Sequence, residues 1–245
     1  MTESLWAQLA DWKQNCTWVD LSHVLSEDTP HWSGFPAMSR SAFYEFPSDG
    51  FFAERIEIAT QYGTHIDAPS HFAEGKPSVD SFTAADVVLP LCVVDIVDKV
   101  RADPDYALTV QDLLDWEGRH GTIPAGCFVA ARTDWYKLDD LDNPDAEGNK
   151  HYPGWTLDAI KFLVEQRDIA ALGHEASDTA PAIAVDSDEG FACEYYLLEK
   201  GRFQIELMRS LDQVPPTGSI IFCGFPRLKG GPGFAARCIA VCPKG

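Results

Sequence analysis

Gln61, His65, Asp67 and His71 are gathered in and around one short stretch, Tyr62-Gly63-Thr64-His65-Ile66-Asp67-Ala68-Pro69-Ser70-His71-Phe72. This stretch restricts the fold more than any other part of the chain. Side chains alternate along a strand, so His65 and Asp67 share a face. Imidazole nitrogen and carboxylate oxygen are ordinary ligands of zinc and manganese. Gly63 permits close backbone approach just ahead of them. Pro69 ends the strand and sends His71 into a loop. A half-buried strand with hydrogen-bonded histidines would explain any one of these residues. The cluster as a whole points to a metal site.

The flanking sequence alternates strands with helices, which predicts an α/β fold. Leu5, Trp6, Leu9 and Trp12 fit a helical stripe over residues 3–13. Strands are expected at Trp18–Ser22, over 51–60 running into the central stretch, and at Leu89–Val94, Gly126–Arg132, Ile169–Leu172, Phe203–Leu207, Ser219–Phe222 and Ala236–Val241. Helices are expected over Ser81–Val88, from Thr109 with Asp112 three positions on, from Thr156, and over Glu194–Lys200 before Gly201. Asp98–Tyr106 and Pro226–Phe234 read as loops. The loop Ser26–Met38 holds Trp32 and Phe35, and its aromatics suit either a substrate lid or a surface loop folded on itself. No repeat or linker divides the chain, so residues 1–245 are expected to form one domain.

Nineteen basic against thirty-eight acidic residues leave a net charge of −19. Nucleic acid and anionic membrane surfaces would be repelled by it. Part of that charge forms an acidic loop through Asp139, Asp140, Asp142, Asp145 and Glu147. No apolar run is long enough to span a bilayer. The seven cysteines lack a CxxC pair and several lie in apolar runs, which suits reduced core thiols. Together with an N-terminus that lacks the pattern of a signal peptide, this predicts a cytoplasmic protein.

The central stretch resembles the signature of the metal-dependent cyclase family, His-x-Gly-Thr-His-x-Asp-x-Pro-x-His, whose members include kynurenine formamidases and isatin hydrolases. The resemblance extends from Val19-Asp20-Leu21-Ser22 through Glu206. It implies a swivelling β/β/α fold, a divalent metal and a homodimer. It implies ligands at His65 and Asp67, a late glutamate at Glu206, His71 as proton donor and acceptor, and Trp32 against substrate. Two positions depart: Gln61 replaces the first histidine, and a later histidine falls on Glu194. Glutamine is a weak neutral ligand. One metal held by His65 and Asp67, completed by Gln61 or a residue near Gln204 and Glu206, is therefore expected, with manganese ahead of zinc.

The expected reaction is hydrolysis of an amide or ester bond of a cyclic aromatic substrate, by metal-activated water with His71 moving the proton. Trp32, Phe35 and Trp135 would wall a flat substrate. His174 and Glu175, with Asp178 beyond, leave a strand end, and His174 is a candidate substrate contact. Aryl formamide hydrolysis is the alternative reaction, and a non-catalytic small-molecule or metal-binding protein the alternative class. No Gly-x-Ser-x-Gly elbow or placed Cys-His pair supports a serine or cysteine hydrolase.

Overall fold

A computed structural model describes residues 4–185 and 190–244. Its strands are β1 (Cys16–Asp20), β2 (Ser39–Tyr44), β3 (Ala53–Glu57), β4 (His65–Asp67), β5 (Val88–Asp95), β6 (Ala107–Leu108), β7 (Phe128–Arg132), β8 (Gly154–Trp155), β9 (Ala171–His174), β10 (Phe203–Glu206), β11 (Ser219–Gly224), β12 (Gly233–Ala235) and β13 (Arg237–Pro243). Nine of them form one sheet in the order β1-β13-β11-β5-β7-β9-β10-β4-β12. The run β5-β7-β9-β10 is parallel, and the pairs on both flanks are antiparallel.

Parallel neighbours need long crossovers, and helices supply them. Between β5 and β7 run α2 (Val97–Ala102) and α3 (Val110–His120), between β7 and β9 runs α4 (Leu157–Lys161, continued by a π turn over Phe162–Gln166), and between β9 and β10 run α5 (Ala182–Val185) and α6 (Ala192–Glu199), while α1 (Leu5–Asn15) precedes β1. The Thr109 hydroxyl accepts from Asp112 N while the Asp112 carboxylate accepts from Thr109 N, the capping box that starts α3. Strand alternation then divides the core. Cys92, Val94, Val129 and Ala131 pack beneath Trp116, Ile160 and Leu197 of the helices. Leu91, Val93, Phe128 and Ala130 meet Val19, Ile66, Ile205 and Ile221 from other strands of the same sheet. The sheet therefore curls over one of its own faces and carries helices on the other.

Several elements differ from expectation. The strand expected over 51–60 stops at Glu57 and pairs with β2 in a separate small sheet. The chain then turns through Gly63, at φ 63°, before β4 begins. No helix forms over Ser81–Val88, because the Asp86 carboxylate accepts from both Thr83 N and the Thr83 hydroxyl at 2.7 Å and holds a local turn. The expected loop Asp98–Tyr106 begins within α2, where Val97 and Val100 bury and Asp95 Oδ1 accepts from Val97 N. The loop Pro226–Phe234 ends in β12, which covers the outer edge of β4. In α1 the expected apolar stripe faces outward, with Leu5 80% and Trp6 87% exposed, and Glu3 lies outside the described residues. All seven cysteines are free and six are buried. Among the described residues no helix is long and apolar enough to cross a membrane.

Candidate active site

Strand β10 lies between β9 and β4, and its register sets Gln204 opposite Asp67 and Glu206 opposite His65. All four side chains are buried. His65 Nε2 lies 3.5 Å from Asp67 Oδ2 and 3.5 Å from Glu206 Oε2. The 3-10 turn Pro69–His71 carries His71 back toward the strand. There its Nε2 is 3.8 Å from Asp67 Oδ1 and 3.9 Å from Glu194 Oε1. Two overlapping groups of donor atoms result, His65–Asp67–Glu206 and Asp67–His71–Glu194, each with its atoms within 4.8 Å of one another.

Local chemistry fixes this arrangement. The Thr64 hydroxyl donates to Leu207 O at 2.6 Å and accepts from His23 N at 2.9 Å, which anchors the start of β4. His65 Nδ1 lies 2.8 Å from Gly63 O, so Nδ1 carries a hydrogen and Nε2 is the nitrogen turned toward the carboxylates. A Cβ on Gly63 would stand 2.8 Å from Thr29 Cγ2, and the positive φ also favours glycine.

The electrostatics suit a cation. Burial raises the pKa of Glu206 and Glu194 well above the usual carboxylate range, and the Asp67 charge raises both further. Burial also pushes Asp178 up to about 7. Burial works against the Asp67 charge, but the adjacent His65 imidazole and the donating Gln204 amide hold its pKa below the usual carboxylate value. Among the described residues the ion-pair partners of Asp67, Glu194 and Glu206 are histidines, with no lysine or arginine. Asp67 Oδ1 is buried without a hydrogen-bond partner. Buried carboxylates are costly unless neutralised, and divalent metal ions are their ordinary partners. An imidazole with two carboxylates fits zinc or manganese.

His65 and Glu206 face a cavity of about 170 Å³. Trp32, Phe35, Phe72 and Phe191 give it aromatic walls. Its polar lining comprises Gln61, His65, His71 and Glu206, with Ser177, Asp178 and Glu194. The Trp32 indole lies directly over Gly34, where a Cβ would be 1.8 Å from the ring. Phe35 meets it edge-on at 5.0 Å. The Lys150 ammonium donates to Ser33 Oγ at 2.7 Å and ties this loop to the acidic one. The Ser26–Met38 loop is thus a cavity wall.

Other candidates are placed differently. Gln61 lines the cavity, but its oxygen accepts from the Thr60 hydroxyl and its Nε2 has no partner. His174, a candidate substrate contact, is absent from the wall. It is 2% exposed and stands behind Glu206, with Nε2 3.3 Å from Oε1, and burial lowers its pKa to about 3. Trp135 is buried in the helix-side core and donates its indole N–H to Leu141 O, so it forms no part of the wall. Phe72, Phe191 and Ser177 were not singled out from the sequence. Phe72 could have been, since it follows His71, whereas nothing local marks Phe191.

The cyclase family model matches residues 19–181. The chain belongs to the cyclase family. It is a metal-dependent hydrolase with the family's swivelling β/β/α fold. An isatin hydrolase of Roseibium aggregatum is 32% identical over 243 residues, spanning 92% of this chain and 92% of that protein. The solved structure of isatin hydrolase A from Labrenzia aggregata, bound to benzyl benzoate, matches with a TM-score of 0.91 at 28% identity, over 98% of this chain and 100% of that one. A kynurenine formamidase of Geobacillus thermodenitrificans is 40% identical over 65 residues, 26% of this chain and 31% of the relative.

Proposed function

We propose that this hydrolase opens the amide of a small, flat, cyclic aromatic substrate of the isatin type. The convergence of His65 Nε2, Asp67 Oδ2 and Glu206 Oε2 beside an aromatic-walled cavity carries the reading. His65, Asp67 and Glu206 hold one divalent cation, with Gln61 available as a further donor once its oxygen leaves Thr60. That cation supplies Lewis-acid polarisation of the carbonyl and activation of water. Two carboxylates in the donor set favour manganese over zinc.

The chain's own groups handle the substrate and its proton. Trp32, Phe35, Phe72 and Phe191 pack on the ring and exclude water. Burial lowers the pKa of His71 against the pull of Asp67, so His71 is neutral near pH 7 and able to accept a proton. Water adds to the carbonyl carbon as His71 takes its proton. The carbon–nitrogen bond then breaks and His71 returns the proton to the departing nitrogen. The product carries an aryl amine and a carboxylate. His174 supports Glu206 from behind.

The same reading includes a single domain over residues 1–245, supported by β1 and β13 pairing within one sheet. It includes a homodimer, because Trp6, Phe43 and Phe46 expose 87%, 65% and 66% of their surface. It also includes the cytoplasm, where the seven free thiols would stay reduced. Size-exclusion chromatography with light scattering tests the dimer.

Metal analysis of the purified protein, with isatin opening assayed on the same sample, tests the function. One cation per chain with isatin opening is expected. The Asp67–His71–Glu194 group favours a second reading, aryl formamide hydrolysis on two cations. Two zinc ions with N-formylkynurenine cleavage would support it. No metal after reconstitution would refute both.

A further inference from the structure

Gln204 faces the donor cluster from β10 and is fully buried. Its Nε2 lies 3.1 Å from Asp67 Oδ2, 3.1 Å from Glu194 Oε1 and 2.8 Å from Glu206 Oε1. Its Oε1 accepts from the Thr179 hydroxyl at 2.8 Å. The network fixes the amide orientation, since a flipped amide would set its oxygen against three carboxylates.

An amide NH2 has two hydrogens, and here three carboxylate oxygens surround it. One acceptor is surplus. Asp67 Oδ2 is the one a cation would claim, because it is the oxygen that faces His65 Nε2. With that oxygen bound to a cation, the two N–H groups serve Glu206 Oε1 and Glu194 Oε1. Glu194 Oε1 is also the atom that faces His71 Nε2. The amide therefore holds the Glu194 oxygen that stands toward His71 within the Asp67–His71–Glu194 group. A neutral amide does this without adding charge to the cavity.

We propose that Gln204 is a positioning residue that sets cation stoichiometry: its amide retains Glu194, prevents a second cation from binding Asp67, His71 and Glu194, and so leaves His71 free to move protons. The proposal rests on the reading that His65, Asp67 and Glu206 bind a cation. Glu194, which falls where the family resemblance implies a later histidine, is then a partner of Gln204 instead of a ligand.

The test compares wild type with Gln204→Met, which removes both N–H groups at similar volume. Each apoprotein is titrated with zinc and with manganese by calorimetry, with bound metal counted by elemental analysis. The His71 imidazole is followed by NMR in the zinc titration. Wild type is expected to saturate at one cation per chain. Gln204→Met is expected to take a second at least tenfold more tightly than wild type does, with the His71 signal moving on the second equivalent and kcat falling as it binds. Where Gln204→Met does not fold, Gln204→Glu replaces it. Its extra carboxylate should require the second cation, and its Tm should rise with added zinc more than that of wild type. One cation on wild type and one on the folded variant would overturn the role of Gln204 while leaving the proposed function intact. Two cations on wild type would also overturn it. No cation on either protein would remove the metal reading and this proposal with it.

Discussion

Glu175 offers a test of the fold that does not depend on any bound group. Its carboxylate is wholly buried. Oε2 accepts from Thr133 N at 2.9 Å, the Thr133 hydroxyl at 2.7 Å and Trp135 N at 3.1 Å, while Oε1 has no partner. Burial raises its pKa from 4.5 to about 7 despite those donors. The fold therefore favours the protonated acid. The penalty is absent below the ordinary carboxyl pKa, grows as pH rises through that pKa toward 7, and stays constant above. A gap of about 2.5 pH units, at about 1.36 kcal/mol each, makes it about 3 kcal/mol. Glu175→Gln abolishes the titration and keeps an oxygen for Thr133 and Trp135. Relative to wild type, the variant should gain about 3 kcal/mol of unfolding free energy between about pH 4.5 and pH 8. Urea unfolding of both proteins at matched pH measures this, and titrations elsewhere cancel in the difference. Parallel pH curves for the two proteins would refute the reasoning, because they would mean that water or a rearranged donor solvates the Glu175 carboxylate.

Three further perturbations separate the roles of the site residues. His71→Ala should lower kcat roughly 10²- to 10⁴-fold with cation content unchanged, and a parallel loss of metal would instead make His71 a ligand. Thr64→Val leaves His23 N and Leu207 O without their hydroxyl partner, so chemical denaturation should find about 1–3 kcal/mol lost; a change below about 0.5 kcal/mol would show that β4 is anchored by other contacts. Trp32→Ala removes ring contact but no donor atom. It should raise KM for an aromatic substrate about tenfold while cation affinity by calorimetry stays constant, and weaker cation binding would mean that the loop also shapes the metal cluster.

How much of this was legible in sequence follows the length scale of each interaction. His65 and Asp67 could be read because strand periodicity alone puts them on one face, and Thr109 with Asp112 because a capping box closes within one helical turn. Glu206 could be placed only through its family resemblance. The distance between it and His65 is set by a strand register that joins β10 to β4 across most of the chain. The same register explains why His174 stands behind Glu206 and not on the cavity wall. It lies at the end of β9, where α/β sheets commonly present ligand contacts, but β10 intervenes between β9 and β4 and puts Glu206 in front of it. Glu194 was ambiguous for a different reason. A glutamate on a short helix reads as solvated, and its burial becomes evident only when α6 packs against the turn that carries His71. Gln204 was legible only as a neighbour of Glu206 on one strand face, since nothing local brings Asp67 or Glu194 to its amide. Its importance is visible only where one nitrogen and three carboxylate oxygens meet. The positions hardest to read from sequence are thus those that act on other side chains, as Gln204 does on Glu194 and Glu206.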